Sequence, residues 1–198
     1  MNEFLYKEYE ECFAQLRFYD ERQLSLLKFS ITISSSVSAG ILALHGIFGA
    51  VDGVFWLAVS LICGVVCLGL FLVFVSMVQN RLYYIYPVRQ VNSLRKFLIE
   101  SESKDFLAKN QMYLNTDFSA FKWRSTQTLM IGGVALLVSS FAGFAIFSYW
   151  EFLQIDVIKA VISGVLIGMV FLVVSTLVAG RYLINSSNLG ADKSVHEK

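Results

Sequence analysis

Residues 53–80 read GVFWLAVSLICGVVCLGLFLVFVSMVQN, twenty-eight positions between Asp52 and Arg81 without one Asp, Glu, Lys or Arg. An α-helix rises 1.5 Å per residue, so about 20 apolar residues cross the roughly 30 Å of bilayer hydrocarbon. Three further runs meet the same test: Phe29–Val51, Ser125–Trp150 and Ala160–Gly180, of 23, 26 and 21 residues. All 31 charged residues of this 198-residue chain lie in the 100 residues outside the four runs. The composition, 56% hydrophobic, 16% charged and mean hydropathy +0.62, is too apolar for an ordinary soluble domain. It also excludes disorder, collagen and disulfide scaffolds. The sequence therefore predicts an all-α, polytopic membrane protein: four transmembrane helices in two hairpins, at 29–80 and 125–180, with cytoplasmic amphipathic helices.

Basic residues set the expected orientation, because Lys and Arg of short loops are retained on the cytoplasmic side. Residues 1–28 carry four, 81–124 carry eight and 181–198 carry three, whereas the two connections on the other side contain Lys159 alone. Both termini and the central segment are expected in the cytoplasm, and the protein in the inner (cytoplasmic) membrane. The first apolar run is too long for the cleavable core of a signal peptide. Aromatic residues at the run ends, Tyr83, Tyr84, Tyr86 and Trp123 on one side, Phe55, Trp56, Tyr149 and Trp150 on the other, fit interfacial belts.

Two segments outside the runs carry helical apolar stripes. Leu5, Tyr9, Cys12, Leu16 and Tyr19 recur in steps of four and three over residues 1–28. This helix continues the first span into the cytoplasm or, the preferred expectation, bends and packs against the central segment; lying on the membrane is the third alternative. Pro87, the only proline, suits the first turn of a new helix or a kink, and a cytoplasmic helix is expected at about 87–101 with Val88, Val91, Leu94 and Leu98 on one face. Leu5, Tyr9, Leu16, Val91, Leu94 and Leu98 are accordingly the expected contacts for a cytoplasmic protein partner. Asn2 and Asn115-Thr116-Asp117 are expected N-caps, the latter for a helix rising through Trp123 into the third span. The tail, 181–198, reads as a short extension followed by a flexible end.

The runs contain none of the ionisable side chains that proton relays, coupled transport and voltage sensing use. His45 is the one titratable candidate, an interfacial histidine or a pH-sensitive gate. Cys63 and Cys67, at i and i+4, read as small packing residues rather than a soft-metal site. The sequence has no H-E-x-x-H, no G-x-S-x-G and no Gly-rich phosphate loop, and its two histidines fall on opposite sides of the expected membrane. A non-enzymatic role without cofactor or metal, and without direct nucleic-acid binding, is expected.

Small residues are the informative feature. Gly164-x-x-x-Gly168, Ser139 with Gly143, and Ser36-x-x-x-Gly40 are stripes that let helix backbones approach, within a monomer or between subunits of a homo-oligomer. Thr32 and Ser35 of the Ser/Thr-rich first span, with His45, are the candidate pore or gate residues. Four helices enclose no wide pore, so conduction requires an oligomer, and apolar rings can gate it by dewetting.

The amphipathic N-terminal helix, the first hairpin and the stretch RLYYIYPVRQVNSLRK at 81–96 together give a layout that resembles small membrane proteins of bacterial antiphage defence operons. SLATT-type effectors and the membrane subunit of two-gene systems such as Kiwa are the families meant. The likeness implies a cytoplasmic partner and a response that senses or perturbs the inner membrane, and it carries over no functional residue. The expected function is an oligomeric membrane sensor or effector, with pore formation as one version. A structural scaffold and a transporter of a small uncharged solute are the alternatives.

Overall fold

The computed structural model describes residues 3–48, 53–102, 116 and 118–192. They form four α-helices: α1 (Glu3–Phe48), α2 (Gly53–Glu102), α3 (Thr126–Phe152) and α4 (Val157–Asp192). Each is long and apolar enough to cross a membrane. Among the described residues there is no strand. The apolar runs set the helices' cores, but the helices extend past them at one end. That end, holding 3–28, 81–102, 118–125 and 181–192, is called here the charged end; the opposite end has the short connections.

Helices α2 and α3 make the most extensive contact, with α1 against one side of the pair and α4 against the other; α1 and α4 do not touch among the described residues. The sequence explains the central place of α2. Phe55, Val59, Cys63, Leu70, Phe74, Met77 and Ile85 fall at helical spacing on one face and are buried. They meet Ile131, Val134, Ala135, Val138 and Phe141 of α3. Side-chain hydroxyls mostly bond back within their own helix, as Ser139 Oγ does to the Ala135 carbonyl at 2.7 Å and Ser148 Oγ to Phe144 at 2.8 Å. Ser60 is different: its Oγ donates to the Ala145 carbonyl of α3 at 2.8 Å.

Three expectations change. Pro87 does not begin a helix; it lies inside α2, which continues through it to Glu102. Proline removes one intrahelical bond, and the packing of its turn, with Ile85 fully buried and Val91 2% exposed, holds the helix together across the gap. No helix rises through Trp123. Residues 118–125 are irregular, and α3 starts after Ser125, which has extended φ and ψ of −77° and 134° and whose N–H donates to the Lys122 carbonyl. Asn2, Asn115 and Asp117 lie outside the described residues. The tail is helical to Asp192, further than expected, and 193–198 lie outside the description.

At the opposite end, Gln154 adopts a left-handed φ of 56° in the turn between α3 and α4. Asp156 Oδ1 then accepts from the backbone N–H groups of Ile158 and Lys159 at 3.0 and 3.3 Å. This is N-cap chemistry for α4.

Candidate functional site: a polar junction at the charged end

Where the apolar run of α2 ends, Asn80 and Arg81 turn inward and are 3% and 2% exposed. A buried guanidinium must find acceptors, because an unpaired buried charge is far costlier than an unpaired amide. Arg81 finds two: Nε donates to the Ala120 carbonyl at 2.9 Å and Nη1 to Gln127 Oε1 at 2.7 Å. Its plane also lies 5.4 Å from the Tyr84 ring centroid and 5.8 Å from that of Phe118. Gln127 in turn donates through Nε2 to Asp20 Oδ1 of α1. Beside this chain, Asn80 Nδ2 donates to Gln23 Oε1 at 2.8 Å and to the Tyr19 carbonyl at 2.9 Å.

The network joins α1, α2, the 118–125 connection and α3 at one level of the bundle. Three of its polar atoms remain buried without a partner: Arg81 Nη2, Gln23 Nε2 and Asn80 Oδ1. Burial pushes the pKa of Arg81 down, and the neighbouring Tyr84 and Asp20 push it back up. Burial likewise raises Tyr84, Asp20 adds to the rise, and Arg81 opposes it. The shift at Tyr84 favours its neutral phenol, whereas burial at Arg81 works against the cation, which its acceptors and Asp20 support. A cavity of about 460 Å³ adjoins the network, lined by Asp20, Gln23, Leu24, Arg81, Gln127 and Met130 among others.

Beyond the junction, α1 and α2 run on side by side. Arg95 Nε donates to Tyr9 Oη at 3.1 Å, and its guanidinium lies 5.7 Å from the Tyr9 ring centroid and 5.2 Å from that of Phe13. Gln90 Nε2 donates to Glu8. Arg89 links α2 to the Phe118 carbonyl at 3.2 Å and to the Ser187 carbonyl of α4 at 2.9 Å. The residues expected to meet a partner are thus largely engaged within the chain. Val91 is buried; Leu5, Tyr9, Leu16, Leu94 and Leu98 are half-buried. The α1 helix reaches the central segment as one unbroken helix, with no bend back.

The small-residue stripes divide. Gly143, Gly164, Gly168 and Ser139 form the α3–α4 seam: a Cβ on Gly143 would stand 2.6 Å from the Gly164 carbonyl oxygen, and one on Gly164 would stand 2.7 Å from that of Gly143. On Gly168 it would meet the Ser139 carbonyl oxygen at 3.0 Å. Ser36 and Gly40 take no part in the bundle; both are exposed, and a Cβ on Gly40 meets nothing within 4 Å. Thr32, Ser35 and His45 are exposed as well, so they line no path within the single chain. His45 lies at the α1–α2 hairpin end, its ring edge-on to Phe55 at 5.9 Å. Cys63 and Cys67 pack between α2 and α3, Cys67 Sγ lying 3.6 Å from the Val138 carbonyl oxygen.

Sequence reasoning counted Arg81 as one more basic residue outside the membrane and passed over Asp20, Gln23, Asn80 and Gln127. A signal was present: Asn80 closes one apolar run, Arg81 follows it and Gln127 is the third residue of another, so all three stand where two apolar runs meet the charged end. What the sequence lacks is the partner assignment, since Asp20 and Gln127 are 107 residues apart. Comparison with protein-family models, curated proteins and solved structures gives no match to this chain.

Proposed function

We propose that the chain is a non-enzymatic, multi-pass protein of the inner membrane, with both termini and residues 81–124 cytoplasmic, that self-associates and couples a cytoplasmic protein partner to the bilayer. The kind of role is that of the defence-type sensors and effectors whose layout it resembles. One observation carries the reading: α1 and α2 run unbroken through 46 and 50 residues. Helices of that length reach about 70 Å, more than twice the roughly 30 Å of hydrocarbon, so each joins a spanning part to a cytoplasmic part with no loop between. A partner that shifts the cytoplasmic halves of α1 and α2 then shifts the spans, with the Arg81 junction as the point where the two motions are tied.

Self-association is supported by the exposed Ser36 and Gly40 face of α1, which the chain's own packing leaves open while the equivalent glycines of α3 and α4 are used internally. In an oligomer that face brings Thr32, Ser35 and Ser36 to a shared axis, where apolar rings gate conduction. The transporter alternative has less support: the apolar cavities described lie between pairs of helices, α3 with α4, α2 with α4, and α1 with α3. It would need a chamber at the middle of the bundle.

The test combines in-membrane crosslinking through Ser36→Cys with membrane-potential measurement on induction. The reading expects crosslinked oligomers and loss of potential when the partner is triggered. Monomers only, with unchanged potential, refute the effector version. Recovery of a partner that Leu94→Asp abolishes, with no conductance throughout, favours the scaffold.

A further inference from the structure

The polar junction contains donors that the chain does not satisfy, and they lie beside a cavity at a distinctive depth. Arg81 Nη2 and Gln23 Nε2 are buried without an acceptor, on residues that both line the cavity of about 460 Å³. A buried guanidinium nitrogen without a partner is strongly unfavourable, so an acceptor at this point is stabilising. Neither nitrogen is exposed to solvent, so an acceptor reaches them only when the side chains of α1 and α2 around them shift. Binding there is consequently linked to the α1–α2 contact.

The charged side chains of the lining are Arg81 and Asp20, one of each sign. Asp20 is exposed at the residue level, with Oδ1 held by Gln127. Lining charges of both signs match a ligand carrying both an oxyanion and a cation, whereas a purely anionic ligand on Arg81 leaves Asp20 without a cation from the lining; Lys122 Nζ stands behind it, 4.6 Å from the ring of the lining Phe118. Arg81 stands one residue beyond the uncharged run 53–80, which is headgroup depth for a helix crossing a bilayer. Leu24 and Met130 form apolar parts of the cavity wall. Further along the same α1–α3 side lies an apolar cavity of about 340 Å³, lined by Ile41, Leu42, Phe141 and Phe144 among others. The two cavities share no lining residue; an acyl chain extending from the junction along α1 and α3 would run toward the second, which a water-soluble ligand would not use.

We propose that the junction cavity binds an ethanolamine phospholipid, its phosphodiester accepting hydrogen bonds from Arg81 and Gln23 and its ammonium group facing Asp20. Charge-assisted bonds from a guanidinium to a phosphate are among the stronger polar contacts. The inference rests on the membrane reading above, because only a bilayer surface near residue 81 brings headgroups to this level. It gives the sensor a lipid-linked element: occupancy sets the spacing of α1 and α2 where their cytoplasmic halves begin.

The full-length protein, delipidated in mild detergent, is titrated with phosphatidylethanolamine, with phosphatidylglycerol and with soluble glycerophosphoethanolamine, and bound ligand is counted by native mass spectrometry. Phosphatidylethanolamine is expected to be retained at least about tenfold more strongly than phosphatidylglycerol. Arg81→Lys, which cannot supply the Nη2 donor, should weaken retention of both lipids by about tenfold. Asp20→Asn keeps an acceptor for Gln127 and should bind both lipids without preference. Where Arg81→Lys fails to fold, Asp20→Asn decides alone, and a preference unchanged from wild type overturns the assignment. Equal retention of the two lipids by wild type also overturns it. Glycerophosphoethanolamine bound as tightly as the lipid overturns the lipid source. Extraction of the protein from membranes by alkaline carbonate defeats the membrane reading itself, whereas a membrane-retained protein with no headgroup preference defeats the site alone.

Discussion

At the scale of single residues, identical amino acids do unlike work according to where the helices place them. Gly164 and Gly40 each belong to a small-xxx-small pattern in the sequence, yet Gly164 meets a carbonyl oxygen where a Cβ would be and Gly40 meets nothing. Gly164→Ala is expected to separate α3 from α4 and to destabilise the fold by about 1–3 kcal/mol, an overpacking cost. Gly40→Ala is expected to leave monomer stability unchanged or to raise it by up to about 1 kcal/mol through helix propensity. Thermal unfolding in detergent separates the two, and equal losses would contradict the seam. Cys12 offers a titration. The thiol is 3% exposed, and burial first, then Glu8 and Glu11, push its pKa above the ordinary 9.0. Alkylation of Cys12 should therefore reach half its limiting rate at a higher pH than that of a free thiol, and Glu8→Gln should lower that midpoint. The linked stability has the matching sign: a pKa raised on folding contributes fully below pH 9.0 and is lost as pH rises beyond it. The pairing of glycines was visible in the sequence as spacing; which spacing was used was not, because spacing does not say what faces it.

At the scale of elements, the four helices were legible because each apolar run is longer than a bilayer requires and carries no charge. Their ends were not legible. Pro87 reads as a helix start or a kink, but α2 continues through it, since the neighbouring turns, with Ile85 and Val91 buried and Arg89 bonded to the Phe118 and Ser187 carbonyls, outweigh one missing backbone bond. Pro87→Ala restores the donor to that turn and should raise stability by up to about 3 kcal/mol, with slower amide exchange around residue 87. A lower stability would mean that the bundle needs proline's geometry. At the start of α4, Asp156 accepts from two backbone N–H groups. Asp156→Ala should cost about 0.5–2 kcal/mol, while Asp156→Asn, which caps equally well, should cost little. The two stripes at 1–28 and 87–101 were also legible as helical. Their mutual packing, through Arg95, Tyr9 and Phe13, was not, because an apolar stripe announces a need for cover without naming what supplies it.

At the scale of the whole molecule, the arrangement is a central α2–α3 pair flanked by α1 and α4, closed at the charged end by the Arg81 network. Gln127→Leu removes the one side chain that bonds both Arg81 and Asp20, and leaves a buried cation with a single acceptor. It should destabilise the fold by about 3–5 kcal/mol, the loss seen when one partner of a buried charge is removed, whereas Gln127→Glu, which supplies a carboxylate to Arg81, should recover part of it. Unfolding of both variants in detergent, compared with wild type, checks this, and an unaffected Gln127→Leu would show that the network does not hold the end of the bundle. The sequence alone determined the helical class, the number of helices apolar enough to span and the partition of charge away from their apolar runs. These follow from local facts: a backbone in lipid must satisfy its hydrogen bonds within its own helix, and charge is too costly to leave in hydrocarbon. Only the tertiary structure decided which small residues pack, that Arg81 turns inward, and that Asp20 and Gln127 meet 107 residues apart. Those depend on which helices become neighbours, and that choice is made by side-chain fit across the whole chain, where no single window of sequence holds both partners.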